Sequence, residues 1–251
     1  YITTAATKPI EEQINKCLTI RKLQQQGILP TATGLGGIFL EGGSGIGKSS
    51  IIEAMIQGED HIKIDASIPA QQKIELLTKA FEQGKIVQID ELNSSIDDGL
   101  EKALNAVLTG HHPETGAKAT KPGFLLIASA NKASMAGRSI ISPALRHRMY
   151  CPQVSELTSF KQQDIETMVN HWSSQLPSAQ GHSSSTEQQE VTTRQISEKF
   201  HQAIQEGKAN LRDLKQAMTK INEDPHVEVQ GQKLSLPSRF VEKPTLTRRK
   251  S

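Results

Sequence analysis

The segment Gly42-Gly43-Ser44-Gly45-Ile46-Gly47-Lys48-Ser49 constrains this chain more than any other feature. It fits the pattern GxxxxGK[ST] in full and has the flanks the pattern needs, an apolar strand at 38–40 and a helical stripe of Ile51, Ile52, Met55 and Ile56. Glycines allow backbone N–H groups to curl around phosphate oxygens without Cβ clashes. The helix that follows adds its dipole and its unpaired N–H groups. The expected cradle runs from Gly42 to Ser50, with Ser50 closing its first helical turn. Lys48 is expected to reach the β- and γ-phosphates of a nucleoside triphosphate, and the Ser49 hydroxyl to ligate Mg²⁺.

The pattern around this loop alternates. Residues 37–40, 62–64, 86–89, 124–128 and 149–154 read as buried strands. Between them run helical stripes: Ile74, Leu77 and Phe81, then Leu100, Ala103, Leu104, Val107 and Leu108. This predicts an α/β fold, a P-loop NTPase parallel sheet with helices on both faces. Residues 1–27 read as an N-terminal helix and lead-in, the helix over 9–26 ending at Gly27, and residues 28–154 as the α/β core. Residues 155–223 then read as a small helical lid, with Ser159 and Gln162 as a capping box and stripes on Ile165, Met168, Val169 and Trp172, on Ile196, Phe200, Ala203 and Ile204, and on Leu211, Leu214, Met218 and Ile221. Within it, 173–193 is rich in Ser, Gln, Thr and Gly and reads as a flexible connection. The tail 224–251 carries Pro225, Pro237 and Pro244 and reads as irregular.

A second chemical signal is Asp90-Glu91 at the end of the apolar strand 86–89. Ligands of parallel sheets bind at the strands' carboxyl ends. Beside a phosphate loop, Asp90 is expected to hold Mg²⁺ through water and Glu91 to polarise a water for attack on the γ-phosphorus. His111 and His112 lack zinc-spaced partners and read as a solvated hairpin.

Composition narrows the classes. The net charge is +2 and aromatics are 4%, which excludes a strongly basic nucleic-acid binder and a stacking platform for single strands. Hydrophobic residues make up 35%, about 42% with the 18 glycines, against roughly 45–50% for typical domains, so the chain reads as globular but polar. The longest apolar run, 124–128, is far short of the roughly 20 residues of a membrane span. The N-terminal residues given do not read as a signal-peptide apolar segment. Cys17 and Cys151 form no CxxC pair, and a cytoplasmic, reducing setting is expected. The sequence begins at Tyr1 and reads as a fragment or processed product.

The order of phosphate loop, Asp-Glu strand and a strand running into Asn131 resembles the AAA+ ATPases. The resemblance implies that Asn131 positions the attacking water. Gly137-Arg138-Ser139-Ile140-Ile141-Ser142-Pro143-Ala144-Leu145-Arg146-His147-Arg148-Met149 resembles a segment of the MoxR, midasin and dynein-related branch. In that branch the final arginine reaches a neighbour's nucleotide. Arg148 is the best match, with Met149 in place of the usual Phe, and Arg146 is the reserve. Asn210-Leu211-Arg212-Asp213-Leu214 is similar to the branch's sensor-2 segment, which implies that Arg212 reads the γ-phosphate. Residues 109–123 match the position of a hairpin that often faces a ring pore.

A GTPase base reader is missing, since Asn131-Lys132-Ala133-Ser134 lacks its aspartate, and nothing resembles the ABC signature LSGGQ. The expected function is an Mg²⁺-dependent ATPase, with ATP and Mg²⁺ bound. It is expected to form a homo-oligomeric ring or to sit among neighbouring AAA+ modules of a longer chain, and to remodel a protein or protein–RNA assembly. The rivals are a helicase-like nucleic-acid motor and a low-turnover, nucleotide-gated scaffold.

Overall fold

The computed structural model describes residues 1–30, 36–94, 96–134, 137–174 and 186–223. Two compact units make up the chain, one running from Thr3 to Glu156 and the other beginning at Leu157.

The first unit is built on five parallel strands: β1 (Gly37–Gly42), β2 (His61–Ile64), β3 (Ile86–Ile89), β4 (Leu125–Asn131) and β5 (Met149–Tyr150). Their order in the sheet is β2-β3-β4-β1-β5. The chain leaves β1, crosses to the far edge at β2, and returns through β3 and β4 to lie beside β1 again. This order sets the carboxyl ends of β3, β4 and β1 next to one another. The register is explicit: Ile89 stands opposite Ala128, and Gly42 opposite Asn131.

The strands are apolar on both faces because helices cover both. On one face α1 (Lys8–Gln25) and α2 (Lys48–Met55) bury Ile10, Ile14, Ile51 and Ile52 against Ile38, Leu40, Ile86, Leu125 and Ile127. On the other, α3 (Ala70–Gln83) and α4 (Asp98–Leu108) bury Leu77, Phe81, Leu100 and Leu104 against Phe39, Val87, Ile89, Leu126 and Ala128. A short helix, α5 (Pro143–His147), begins with Ser142 accepting from the Leu145 N–H and with Pro143 in its first turn. Arg21 ties α1 to the sheet's lower edge: its guanidinium pairs with Glu59 at 2.7 Å and donates to the carbonyls of Gly123 and Gly84.

The second unit holds α6 (Gln162–Ser174), α7 (Thr186–Gln205) and α8 (Leu211–Glu223). Ile165 and Val169, Phe200 and Ile204, and Leu214 and Met218 are buried within it.

Several expectations need correction. β5 ends at Tyr150 rather than at residue 154, because Pro152 has no N–H to give a neighbouring strand. Ser159 does not cap α6. It ends a 3₁₀ turn at Leu157–Ser159, and Asp164 reaches back to accept from the Lys161 N–H at 2.9 Å. The connection expected over 173–193 is helical from Thr186 onward; its middle part lies outside the described residues, as does the tail from 224. The loop after α4 does form a tight hairpin, with His111 bridged to Lys118 and the His112 N–H donating to the Ala117 carbonyl at 2.7 Å. No helix among the described residues is long and apolar enough to cross a membrane.

Candidate active site

The phosphate loop leaves β1 at Gly42 and enters α2 at Lys48. Gly45 and Gly47 adopt φ values of 75° and 88°, in the left-handed region that a side chain would oppose. Gly47 is the N-cap residue of α2 and no side chain caps that end. The first N–H groups of the helix therefore face the loop with no side-chain acceptor supplied by the chain, as an anion site requires. Ile46 is buried and anchors the loop from below, while Ser44 and Ser50 are exposed.

Lys48 is only 8% exposed. Its ammonium donates to the carbonyls of Gly42 and Gly43 at 3.1 and 2.7 Å, and to Asn131 Oδ1 at 3.1 Å. Asn131 is the last residue of β4, and its Nδ2 donates to Glu91 Oε1 at 3.3 Å. The other oxygen of Glu91 accepts from Arg138 Nη1 at 3.1 Å. Lys48, Asn131, Glu91 and Arg138 thus form one continuous hydrogen-bonded chain across the ends of β1, β4 and β3. Among the described residues Glu91 is the one non-glycine with positive φ, 53°. Such a backbone costs on the order of 1–3 kcal/mol and persists where surrounding contacts impose it.

Burial pushes the Lys48 ammonium down from its ordinary 10.5 to about 8; Glu91 and Asp90 oppose the shift and Arg138 adds to it. The direction makes a prediction. Between about pH 8 and 10.5 the unfolded chain holds a proton at this lysine that the folded chain has lost, so folding releases it. This contribution to stability is absent below pH 8 and grows as pH rises through that window. Thermal unfolding of the wild type and of Lys48→Met from pH 7 to 10 should show the wild type gaining relative to the variant above pH 8. Parallel curves would show that Lys48 stays charged.

Asp90 lies one residue beyond β3 and collects donors. Ser49 Oγ donates to its Oδ1 at 3.2 Å and Ser129 Oγ to the same oxygen at 3.1 Å. Gln88 Nε2 lies 3.3 Å from both carboxylate oxygens, and Lys63 Nζ stands 3.5 Å from Oδ2. Ser129 also accepts from the Glu91 N–H at 3.4 Å, so β4 steadies both acids. A hydroxyl and a carboxylate side by side are hard oxygen donors, the kind Mg²⁺ takes together with phosphate oxygens and water. No group of three or more His, Cys, Asp or Glu side chains among the described residues is arranged to hold a metal without such help.

The two downstream arginines differ in their engagements. Arg146 pairs with Glu41 and lies 5.3 Å from the centroid of the Phe39 ring. Arg148 caps the end of α5, is exposed, and donates to Asn105 Oδ1 and the Ala144 carbonyl at 2.9 and 2.8 Å. Arg212 belongs to the second unit, where it is exposed on α8. Sequence reasoning missed Ser129, Gln88 and Lys63 as partners of Asp90. It also read Arg138 only as part of the downstream arginine segment, whereas its guanidinium bonds Glu91 within the same chain.

No family model matches the chain, and no curated protein matches it in sequence. Solved structures do. Three variants of Thermotoga maritima RuvB superpose on it: a threonine-to-valine variant with a TM-score of 0.53 at 14% identity over 87% of this chain and 63% of that one, a proline-to-glycine variant with 0.52 at 14% over 84% and 64%, and an arginine-to-alanine variant with 0.50 at 15% over 85% and 63%. The fold is that of a P-loop NTPase. The chain spans less than two thirds of the RuvB chains it matches. The residues from Gly42 to Ser50 and the acids Asp90 and Glu91 stand at or just beyond the carboxyl ends of β1 and β3.

Proposed function

We propose that this chain is an Mg²⁺-dependent ATPase module of the AAA+ type, working in a ring with further copies or with neighbouring modules of a longer chain. The observation that carries this reading is the meeting of Lys48, Asn131 and Glu91 in one hydrogen-bonded chain beside the Ser49–Asp90 pair. Lys48 and the N–H groups of the loop from Gly42 to Ser50 bind the β- and γ-phosphates. Ser49 and Asp90 are the residues that would hold Mg²⁺, and bound there it would supply charge neutralisation for those phosphates. Glu91 takes a proton from the attacking water, and Asn131 orients that water. Asn131 and Arg138 each donate to one Glu91 oxygen, which fixes the carboxylate's orientation while a lone pair on each oxygen stays open to the water's proton.

Arg148 is exposed and bonded to neutral partners, Asn105 and the Ala144 carbonyl, which an anionic nucleotide could displace, whereas Arg146 is ion-paired with Glu41. The roles of Arg148 and of Arg212 rest on the resemblance of their segments to the MoxR, midasin and dynein-related branch. So do the ring and its output, remodelling of a protein or protein–RNA assembly. A cytoplasmic setting goes with this reading, with Cys17 and Cys151 both free thiols.

The test separates binding from turnover. Glu91→Gln keeps the shape of the side chain and removes the base. It should retain ATP binding by calorimetry and slow hydrolysis by roughly 10²–10⁴, the usual size of a general-base effect. Hydrolysis at the wild-type rate would make Glu91 a structural residue. Tight ATP binding with negligible turnover in the wild type would instead favour the scaffold reading.

A further inference from the structure

The face of the sheet under α1 and α2 is apolar at Ile38, Leu40, Ile86, Leu125 and Ile127, and turns polar toward the strand ends, where Gln88 lies between Lys63 of β2 and the Ile127–Ser129 stretch of β4. Along β3, Ile86 points into that layer, and Gln88, one pleat further on, points into it as well. In register beside it on β4 is Ile127, part of the same apolar layer. Gln88 is fully buried, and its Oε1 has no hydrogen-bond partner. A strand covered on both faces ordinarily carries apolar side chains throughout, and an unsatisfied buried carbonyl is unfavourable. Leucine would fill the same volume without that cost. The other end of the amide is engaged: Nε2 lies 3.3 Å from each oxygen of Asp90. Ser129 and Ser49 reach only Oδ1, and Lys63 only Oδ2, so Gln88 alone spans the whole carboxylate edge from beneath.

We infer that Gln88 is a positioning residue for the metal-binding carboxylate: it fixes the rotation of Asp90 so that its oxygens meet a divalent cation at the Ser49 hydroxyl. This rests on the ATPase reading of the site. A group that orients a ligand from behind typically contributes 10–100-fold to metal affinity, and an unsatisfied Oε1 in an apolar layer is the stability cost of having it there.

Gln88→Leu separates the two effects, with Gln88→Met as the second variant should the branched side chain pack badly. The nucleotide-free variant should unfold no lower than wild type, and up to about 4 °C higher. In the presence of ADP, Mn²⁺ binding followed by electron paramagnetic resonance should weaken about tenfold. ADP binding without metal should be unchanged. In an Asp90→Asn background, Gln88→Leu should cause no further loss of Mn²⁺ affinity, because the carboxylate it orients is gone. A variant as stable as wild type with unaltered Mn²⁺ affinity would overturn the inference and leave Gln88 a tolerated core polar group. So would an equal loss in the Asp90→Asn background. If wild-type protein binds neither ADP nor Mn²⁺ with ADP, the ATPase reading itself falls and this inference with it. Wild-type binding with no change in either Gln88 variant removes only the inference.

Discussion

Lys48→Ala should bind ATP too weakly to saturate. In the folded chain the ammonium sits almost wholly out of water, held by two loop carbonyls and Asn131, all of which a polyanion would outbid. Removing one partner of a desolvated, hydrogen-bonded charge pair costs about 2–5 kcal/mol, or roughly 30- to several-thousand-fold in affinity. The loop itself should survive, because its shape is fixed by the glycine backbones at 45 and 47 and by the buried Ile46 rather than by the lysine. Calorimetry with ATP and a melting curve without it would therefore diverge: lost binding, preserved fold. Near-wild-type affinity would sink the phosphate-loop assignment.

The second large effect belongs to Arg148. Its guanidinium bonds Asn105 and the Ala144 carbonyl rather than any member of the Lys48–Glu91 chain, and its proposed work is on another module's nucleotide. An arginine supplied in trans contributes on the order of 10³–10⁵ in rate in GTPase activation. Arg148→Ala should cut turnover on that scale and leave ATP binding intact. Mixing it with Glu91→Gln should restore activity, since some interfaces then pair an intact Glu91 with an intact Arg148, which neither variant can build alone. Sedimentation must first show mixed oligomers. If these form and the mixture is no more active than its parts, Arg148 is not the trans residue. Arg146 would be the next to test, although its pairing with Glu41 makes it the less available of the two.

What the sequence revealed and what it withheld follow from the range of the contacts involved. The cradle, the strand 86–89 and the acids after it were legible because their signals lie within a few neighbouring residues. β5 was read too long because Met149 to Val154 is apolar enough for a strand, and its interruption comes from one missing N–H at Pro152. α7 starts at Thr186 in a stretch too polar to show a helical stripe, so pattern reading passed over it. The partners of the two acids were the least legible. Ser129 meets Asp90 only because β3 and β4 are neighbours in the sheet, an order not readable from hydropathy, and Arg138 reaches Glu91 across 47 residues from the loop beyond β4. Gln88 did leave a trace in the sequence as the one polar residue inside an apolar strand.

The left-handed backbone at Glu91 bears on how such a module decays under selection. A glutamate at φ 53° is held against its own conformational preference, and glycine or asparagine would relax it. On the proposed role of Glu91 as the base, heat resistance and hydrolysis would pull position 91 in opposite directions. A mutant library screened only for survival of heating should enrich glycine and asparagine there, yielding sturdier proteins that still grip nucleotide and no longer turn it over. A lineage released from the need for turnover has the same downhill route open to it, one codon from an active motor to a static nucleotide holder.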